Sequence, residues 1–438
     1  MLRFFLGIAF IFFFSGALQA QHQHNDHEEQ SATEHEMWMQ PFDDGWQLMG
    51  MGQVFPLLTW SVPFDEDNPL NRNDLYFTQP TTMVNIQSPN ARLVLRTSLS
   101  FEGLTIPDGE VTLGGWGEEF IDARHPHTLL HEVMLSYNFW DFAGGAFSIS
   151  AGKGFATYGT DDPMARPVQK FPTNHHLSQI LERWQIQGAY LVGGWGFEAS
   201  LFGGEEPTGP YDFSNIESFG DSWSARLSRR FGEGFGPMAQ WETSVSFARV
   251  IEDDLISLYN ATIRHSSEYP IGNVYGLVEA SMSAPEQRDG YFAVLGEAQL
   301  QTSRHQPYYR IEYATRPEYN REGEPGTDDF FRYDHDDPPI GATRWLINSA
   351  GYGYTLTGYP LSARPFVEFQ HNRIWDERGV TPELLVDNGS YWTISVGFRL
   401  FFGGDMDRMG TYGILDPMVM MHAPQANNEH GNGHIHHP

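Results

Sequence analysis

The chain has 438 residues, with 26 Lys and Arg against 56 Asp and Glu, a formal charge of −30 and no cysteine. The lack of cysteine excludes a disulfide framework, Cys-ligated zinc or iron–sulfur centres and thiol catalysis, and so acidic a chain has nothing to neutralise nucleic-acid phosphates. Aromatic residues at 14%, 45 glycines and only 19% charged residues exclude a disordered chain.

The first twenty residues read as a signal peptide. Arg3 precedes an unbroken apolar run from Phe4 to Phe14, and Ser15, Gly16, Ala17 and Ala20 supply small residues for cleavage. The run is too short to span a bilayer and suits an export signal. Residues 21–44 follow as a disordered His/Glu/Met-rich segment, 45–404 as a β-rich body, and 405–438 as a Met/His-rich tail, so both termini read as flexible. No later apolar run reaches the ~20 residues of a membrane helix. An exported soluble β protein and an outer-membrane barrel are the two classes left.

From residue 46 onward the period is two. Leu93, Leu95, Thr97, Leu99 and Phe101 share one face, and Arg92, Arg96, Ser98, Ser100 and Glu102 share the other. Trp223, Ala225 and Leu227 alternate with Ser222, Ser224, Arg226 and Ser228; Tyr309, Ile311 and Tyr313 alternate with Arg310 and Glu312. Trp392, Ile394, Val396, Phe398, Leu400 and Phe402 alternate with Thr393, Ser395, Gly397 and Arg399. Candidate strands fall at 46–60, 75–88, 91–104, 127–139, 145–156, 184–194, 195–207, 222–232, 238–252, 254–269, 271–287, 289–303, 305–320, 342–358, 363–377 and 389–403. That is sixteen, and boundaries of this kind leave fourteen to eighteen open.

Strands of ten or more residues with one apolar and one charged face exceed the usual five or six of a soluble sandwich. They fit a transmembrane antiparallel up-and-down β-barrel with lipid outside and water inside. Trp60, Trp140, Trp184, Trp195, Trp241, Trp345, Trp375 and Trp392 lie near strand ends, where interface girdles sit. On this reading Arg92, Arg96, Glu102, Arg226, Arg310, Glu312 and Arg399 line a pore. The alternating aromatics that end at Phe402 match the assembly signal of such barrels, which implies the barrel-assembly machinery and outer-membrane lipid as partners. That signal normally ends a chain; here 36 residues follow.

Histidine collects in the two tails. His22, His24, His27 and His35 precede the body; His422, His430, His434, His436 and His437 follow it. Met37, Met39, Met49, Met51, Met418, Met420 and Met421 flank these runs. Imidazole and thioether together suit copper, and imidazole with carboxylate suits zinc. A solvated polar tail of biased composition is the alternative. Inside the body, His125 and His127 point the same way in an extended chain and could reach one metal, or else cap a loop. His175 and His176 lie in the polar stretch Tyr158–Arg183, which reads as an inward-folded constriction or a surface loop. Cu or Zn is the cofactor these residues imply.

Enzyme motifs are absent: no Gly-x-Ser-x-Gly elbow, no His-Glu-x-x-His, no P-loop and no dinucleotide fingerprint. Gly220-Asp221-Ser222 is the nearest approach to a lipolytic motif, and Trp223 breaks it. The blocks Asp122-Ala123-Arg124-His125-Pro126-His127, Gly152-Lys153-Gly154-Phe155, Asp161-Asp162-Pro163-Met164 and Asn174-His175-His176-Leu177 resemble those of a family of bacterial outer-membrane β-barrel proteins of uncharacterised function. The stretches from Phe197 to Pro207 and from Asp221 to Leu227 are similar to that family's next blocks. The resemblance covers the N-terminal half and middle of the barrel. It implies an outer-membrane location and a His/Met-rich N-terminal segment, and carries no catalytic residues. The sequence thus predicts a non-enzymatic, porin-like passive channel for small solutes or metal ions, linked to copper or zinc homeostasis. A metal-binding surface protein anchored by a closed barrel and an outer-membrane lipolytic enzyme are the alternatives.

Overall fold

The computed structural model describes residues 38–62, 73–105, 128–161, 165–166, 175–207, 209, 211–212, 216, 218–234, 239–252, 254–287, 289–318, 340–356, 358, 360–379, 389–404 and 408–420. A short strand, β1 (Trp38–Pro41), leads into β2 (Gln47–Val62), β3 (Asn73–Gln87), β4 (Leu93–Ser100), β5 (Leu130–Phe142) and β6 (Gly145–Gly154). There follow β7 (Arg183–Val192), β8 (Trp195–Phe202), β9 (Ser222–Phe231), β10 (Trp241–Ile251), β11 (Leu255–Tyr269) and β12 (Gly272–Pro285). The last are β13 (Tyr291–Gln301), β14 (His305–Glu318), β15 (Gly341–Tyr354), β16 (Leu361–Asp376) and β17 (Ser390–Phe402). Each of β2 to β17 pairs antiparallel with its chain neighbours, and β17 pairs back onto β2 from Trp392↔Val62 to Phe402↔Gly52. The result is a closed barrel of sixteen strands, with β1 lying along the start of β2.

The pleat sorts the side chains. Along β8, Trp195, Phe197 and Leu201 face out and are exposed, while Glu198, Ser200 and Phe202 face in and are buried. On β9, Trp223, Leu227 and Phe231 face out while Ser224, Arg226, Ser228 and Arg230 face in. Leaving a large apolar side chain in water forgoes about 1.5–3 kcal/mol. An outer surface carrying Leu135, Ile149, Ile186, Leu201, Val245, Ile263 and Val278 is therefore built for hydrocarbon. A soluble sandwich would show the reverse, with apolar residues meeting in its interior.

Connections alternate in length. At one end the turns are 88–92, 143–144, 193–194, 232–240, 270–271, 302–304 and 355–360; the other end carries the long connections 101–129, 155–182, 203–221 and 319–340, beside shorter ones at 63–72, 252–254, 286–290 and 377–389. Ala143-Gly144 and Gly193-Gly194 take positive φ at both positions, the backbone of a two-residue hairpin that matches strand twist. Outer-membrane barrels keep short turns in the periplasm and longer loops outside, which orients the chain.

The tryptophan expectation holds in part. Trp195 and Trp241 face outward near the short-turn end, and Trp60, Trp184, Trp375 and Trp392 face outward near the other. Trp345 instead points inward, fully buried, edge-on to Tyr391 and beneath the Arg316 guanidinium. Trp140 also faces inward and packs against Val94, Val419 and Leu415.

Candidate functional site

The interior is polar, and chain fills it. Twelve Lys or Arg and twelve Asp or Glu are buried among the described residues. Across β8 and β9, Arg226 binds Glu198 in a fork, Nε to Oε1 at 2.8 Å and Nη2 to Oε2 at 2.6 Å. Arg310 donates from Nε to Glu312 at 2.7 Å, and its Nη1 lies 3.8 Å from Glu297. Such pairs satisfy buried charge that would otherwise be costly to hold away from water.

Two segments enter the barrel. The first is the connection between β6 and β7. Its Arg166 reaches the far wall, with Nη2 3.1 Å from Glu279 on β12 and Nη1 4.0 Å from Glu297 on β13. Arg399 on β17 donates to the Arg166 carbonyl at 3.2 Å and lies over the Phe55 ring. At the loop's return, Glu182 takes the Thr128 amide, His131 Nδ1 at 2.6 Å and, at 3.8 Å, the Lys153 ammonium.

The second is the chain beyond the last strand. Gly403 and Gly404, at φ +72° and +108°, turn it back at the short-turn end, a conformation glycine adopts freely. Residues 408–420 then run inside the wall. Arg408 binds Asp161 at 2.8 Å and clasps both oxygens of Glu242, so the two inserted segments share one ion-pair network. Burial opposes its charge, yet the Asp161 and Glu242 carboxylates hold the Arg408 guanidinium above its ordinary range. Tyr412 donates to Glu132 at 2.6 Å and accepts the Phe155 amide at 3.0 Å. Asp416 receives Arg96 at 3.2 Å. Ile414 and Leu415 pack on Ala189, and Val419 on Val94.

Of the residues expected to line a pore, Arg96, Arg226, Arg310, Glu312 and Arg399 lie on the inner wall. Each is at most 7% exposed, engaged with ion-pair partners or inserted chain rather than bathing in water. Glu102 is buried in a short helical turn, Glu102–Thr105, after β4, where it accepts the Gln79 amide. Arg92 corrects the expectation: it sits in the exposed turn between β3 and β4, because β4 begins at Leu93. Ser222 is buried on the inner face, donating to Asp221 at 2.6 Å and accepting the Ile251 amide, away from the lipid surface that the lipolytic reading needs.

The metal expectation falls largely outside the described residues. His22, His24, His27, His35, His125, His127, His434, His436 and His437 lie there, as do the side chains of His175 and His176. Among the described residues no group of three or more His, Asp or Glu is arranged to hold a metal. The flanking methionines fare differently: Met39, Met49, Met51 and Met418 come together inside the barrel with Met83, Met134 and Met409.

These features define a transmembrane β-barrel of the bacterial outer membrane. Among solved structures, the loop L8 deletion mutant of OmpT, an outer membrane protein of Vibrio cholerae, is similar at TM-score 0.47 and 13% identity, over 82% of this chain and 100% of that one. OmpF of Salmonella typhi, in complex with daunomycin, gives 0.47 at 12%, over 82% and 99%. An anion-selective porin from Comamonas acidovorans gives 0.45 at 9%, over 82% and 99%. No family model and no curated protein matches the chain.

Proposed function

We propose that the protein is a porin-like passive channel whose lumen is closed from the periplasmic end by its own C-terminal segment. The observation that carries this reading is the chemistry of the contact: beside its apolar packing, the segment is seated on carboxylates, a guanidinium and a hydroxyl, namely Glu132, Glu242, Asp161, Arg96 and Ser148. Groups of this kind hydrate readily when uncovered, and the wall closes through its own β17–β2 ladder without the segment. Undocking would therefore wet a charge-lined stretch of the wall and widen the space left beside the β6–β7 connection. Solutes would be sorted by size and charge, with outer-membrane lipid and the barrel-assembly machinery as the partners of the wall.

Planar bilayers test this. The mature chain is expected to conduct in infrequent steps, and a chain truncated after Gly404 to conduct steadily. Equal conductance would remove the plug, and silence from both folded proteins would remove the channel.

A second reading makes the barrel an anchor for metal collection by the His-rich tails, with Cu or Zn held by His22, His24, His27, His35, His434, His436 and His437. The convergence of Met49, Met51 and Met418 favours it. Deleting 21–36 and 423–438 should then lower copper or zinc uptake in calorimetry while conductance survives.

A further inference from the structure

Six of the fifteen methionines, Met49, Met51, Met83, Met134, Met409 and Met418, meet in one buried cluster between wall and C-terminal segment. Three other buried clusters among the described residues contain Ala, Val, Ile, Leu, Phe and Tyr but no methionine. Leu57, Phe155, Leu181, Phe366 and Tyr412 complete the methionine-bearing cluster, so methionine is concentrated there though not alone. Ordinary aliphatics seat the same segment nearby, where Ile414 and Leu415 meet Ala189 and Val419 meets Val94. What a thioether adds is a soft, polarisable lone pair.

The sulfurs come from β2, β3, β5 and the inserted segment, residues far apart in sequence. Met51 and Met83 are direct cross-strand partners. The Asn85 amide donates to Met418 Sδ at 3.3 Å, which holds that side chain against the wall. A small cavity bounded by Met51, Met83, Gln53 and Thr81 abuts the cluster beside Gly404.

Buried polar groups also border the cluster. Arg96 faces two carboxylates, Asp416 at 3.2 Å and Glu132 at 3.5 Å, and Glu132 is tied to Tyr412, itself a member of the cluster. On the other side, the Arg364 and Arg399 guanidiniums lie over Phe401, which also bounds the cavity.

We propose that the methionine cluster is a binding site for a soft monovalent cation, Cu(I) or Ag(I), shared between the barrel wall and the C-terminal segment. Neutral thioethers select soft ions, whereas Zn(II) and Cu(II) favour imidazole and carboxylate groups. The proposal sharpens the metal-collecting reading by placing the ion in the lumen instead of the tails, and it does not depend on conduction.

The test uses the mature full chain in detergent, titrated with Ag(I) by calorimetry and with Cu(I) under ascorbate against a chromophoric chelator. Met83→Leu, Met134→Leu and Met418→Leu are combined, since Met-to-Leu exchanges conserve volume and usually cost under about 1.5 kcal/mol each. Affinity should fall about tenfold or more in this variant, while a chain lacking 21–36 and 423–438 keeps the site. Unchanged affinity in the triple variant, or binding lost only with the tails, overturns the proposal. The wild-type chain gives a second readout, peroxide oxidation mapped by mass spectrometry. Bound Ag(I) should slow sulfoxide formation at Met83, Met134 and Met418 but not at Met282, which faces outward on β12. Equal rates with and without silver overturn it as well.

Discussion

Arg226 and Glu198 stand directly opposite each other on β9 and β8, in a register that leaves neither charge another place to go. Both are nearly dry, and Arg226 also donates to the Gly159 carbonyl of the inserted loop at 3.1 Å. Removing one member of such a pair strands the other. Arg226→Ala should lower stability by about 3–5 kcal/mol, whereas Glu198→Leu combined with Arg226→Met should cost far less. Urea unfolding of the barrel in lipid vesicles, followed by tryptophan fluorescence, measures both. A single change as mild as the double one would mean that water already reaches the pair and that the lumen is open there.

The C-terminal segment depends on small wall residues as well as charged ones. A Cβ added at Gly154 would lie 2.1 Å from Tyr412 Oη and 2.9 Å from its Cζ, so the tyrosine must move. Gly154→Ala should therefore weaken docking and speed tryptic cleavage after Arg408, a bond otherwise guarded by burial. A tenfold rise would correspond to about 1.4 kcal/mol of lost docking, because cleavage follows the open population. Intact protein with a wild-type cleavage rate would show that Tyr412 does not hold the segment. The sequence makes the wall far more legible than this element. All sixteen wall strands lie within a few residues of the alternation that predicts them, since a lipid face and a wet or paired face impose period two on every strand. Residues 408–420 have no such period. Their partners are distant, with Tyr412 and Glu132 280 residues apart and Asp416 and Arg96 320 apart. Gly403-Gly404 and the methionines are the available signals, and nothing in their spacing says that the fold gathers those methionines.

At the scale of the molecule, charge is distributed unevenly. The buried interior balances, twelve basic against twelve acidic side chains, while the chain carries −30. Apart from the buried Glu102, Asp161, Glu182 and Arg166, the segments joining strands at the long-loop end, 63–72, 101–129, 155–182, 203–221, 252–254, 286–290, 319–340 and 377–389, hold 29 Asp and Glu against 7 Lys and Arg. The turns at the other end hold only Asp43, Asp44 and Glu233 against Arg92 and Arg304. A mouth of one sign concentrates counter-ions at its surface, whereas paired interior charges present little net field. Selectivity should therefore reside at the outer mouth. The truncated channel is expected to prefer cations in reversal-potential measurements at low salt. The preference should fade as the Debye length shrinks from about 10 Å at 0.1 M to about 3 Å at 1 M, since exposed charges are screened and the buried pairs are not. Cation preference that survives at 1 M salt would place the filter among the lumen pairs and would make Arg226, Arg310 and their partners, not the loops, the residues that choose the solute.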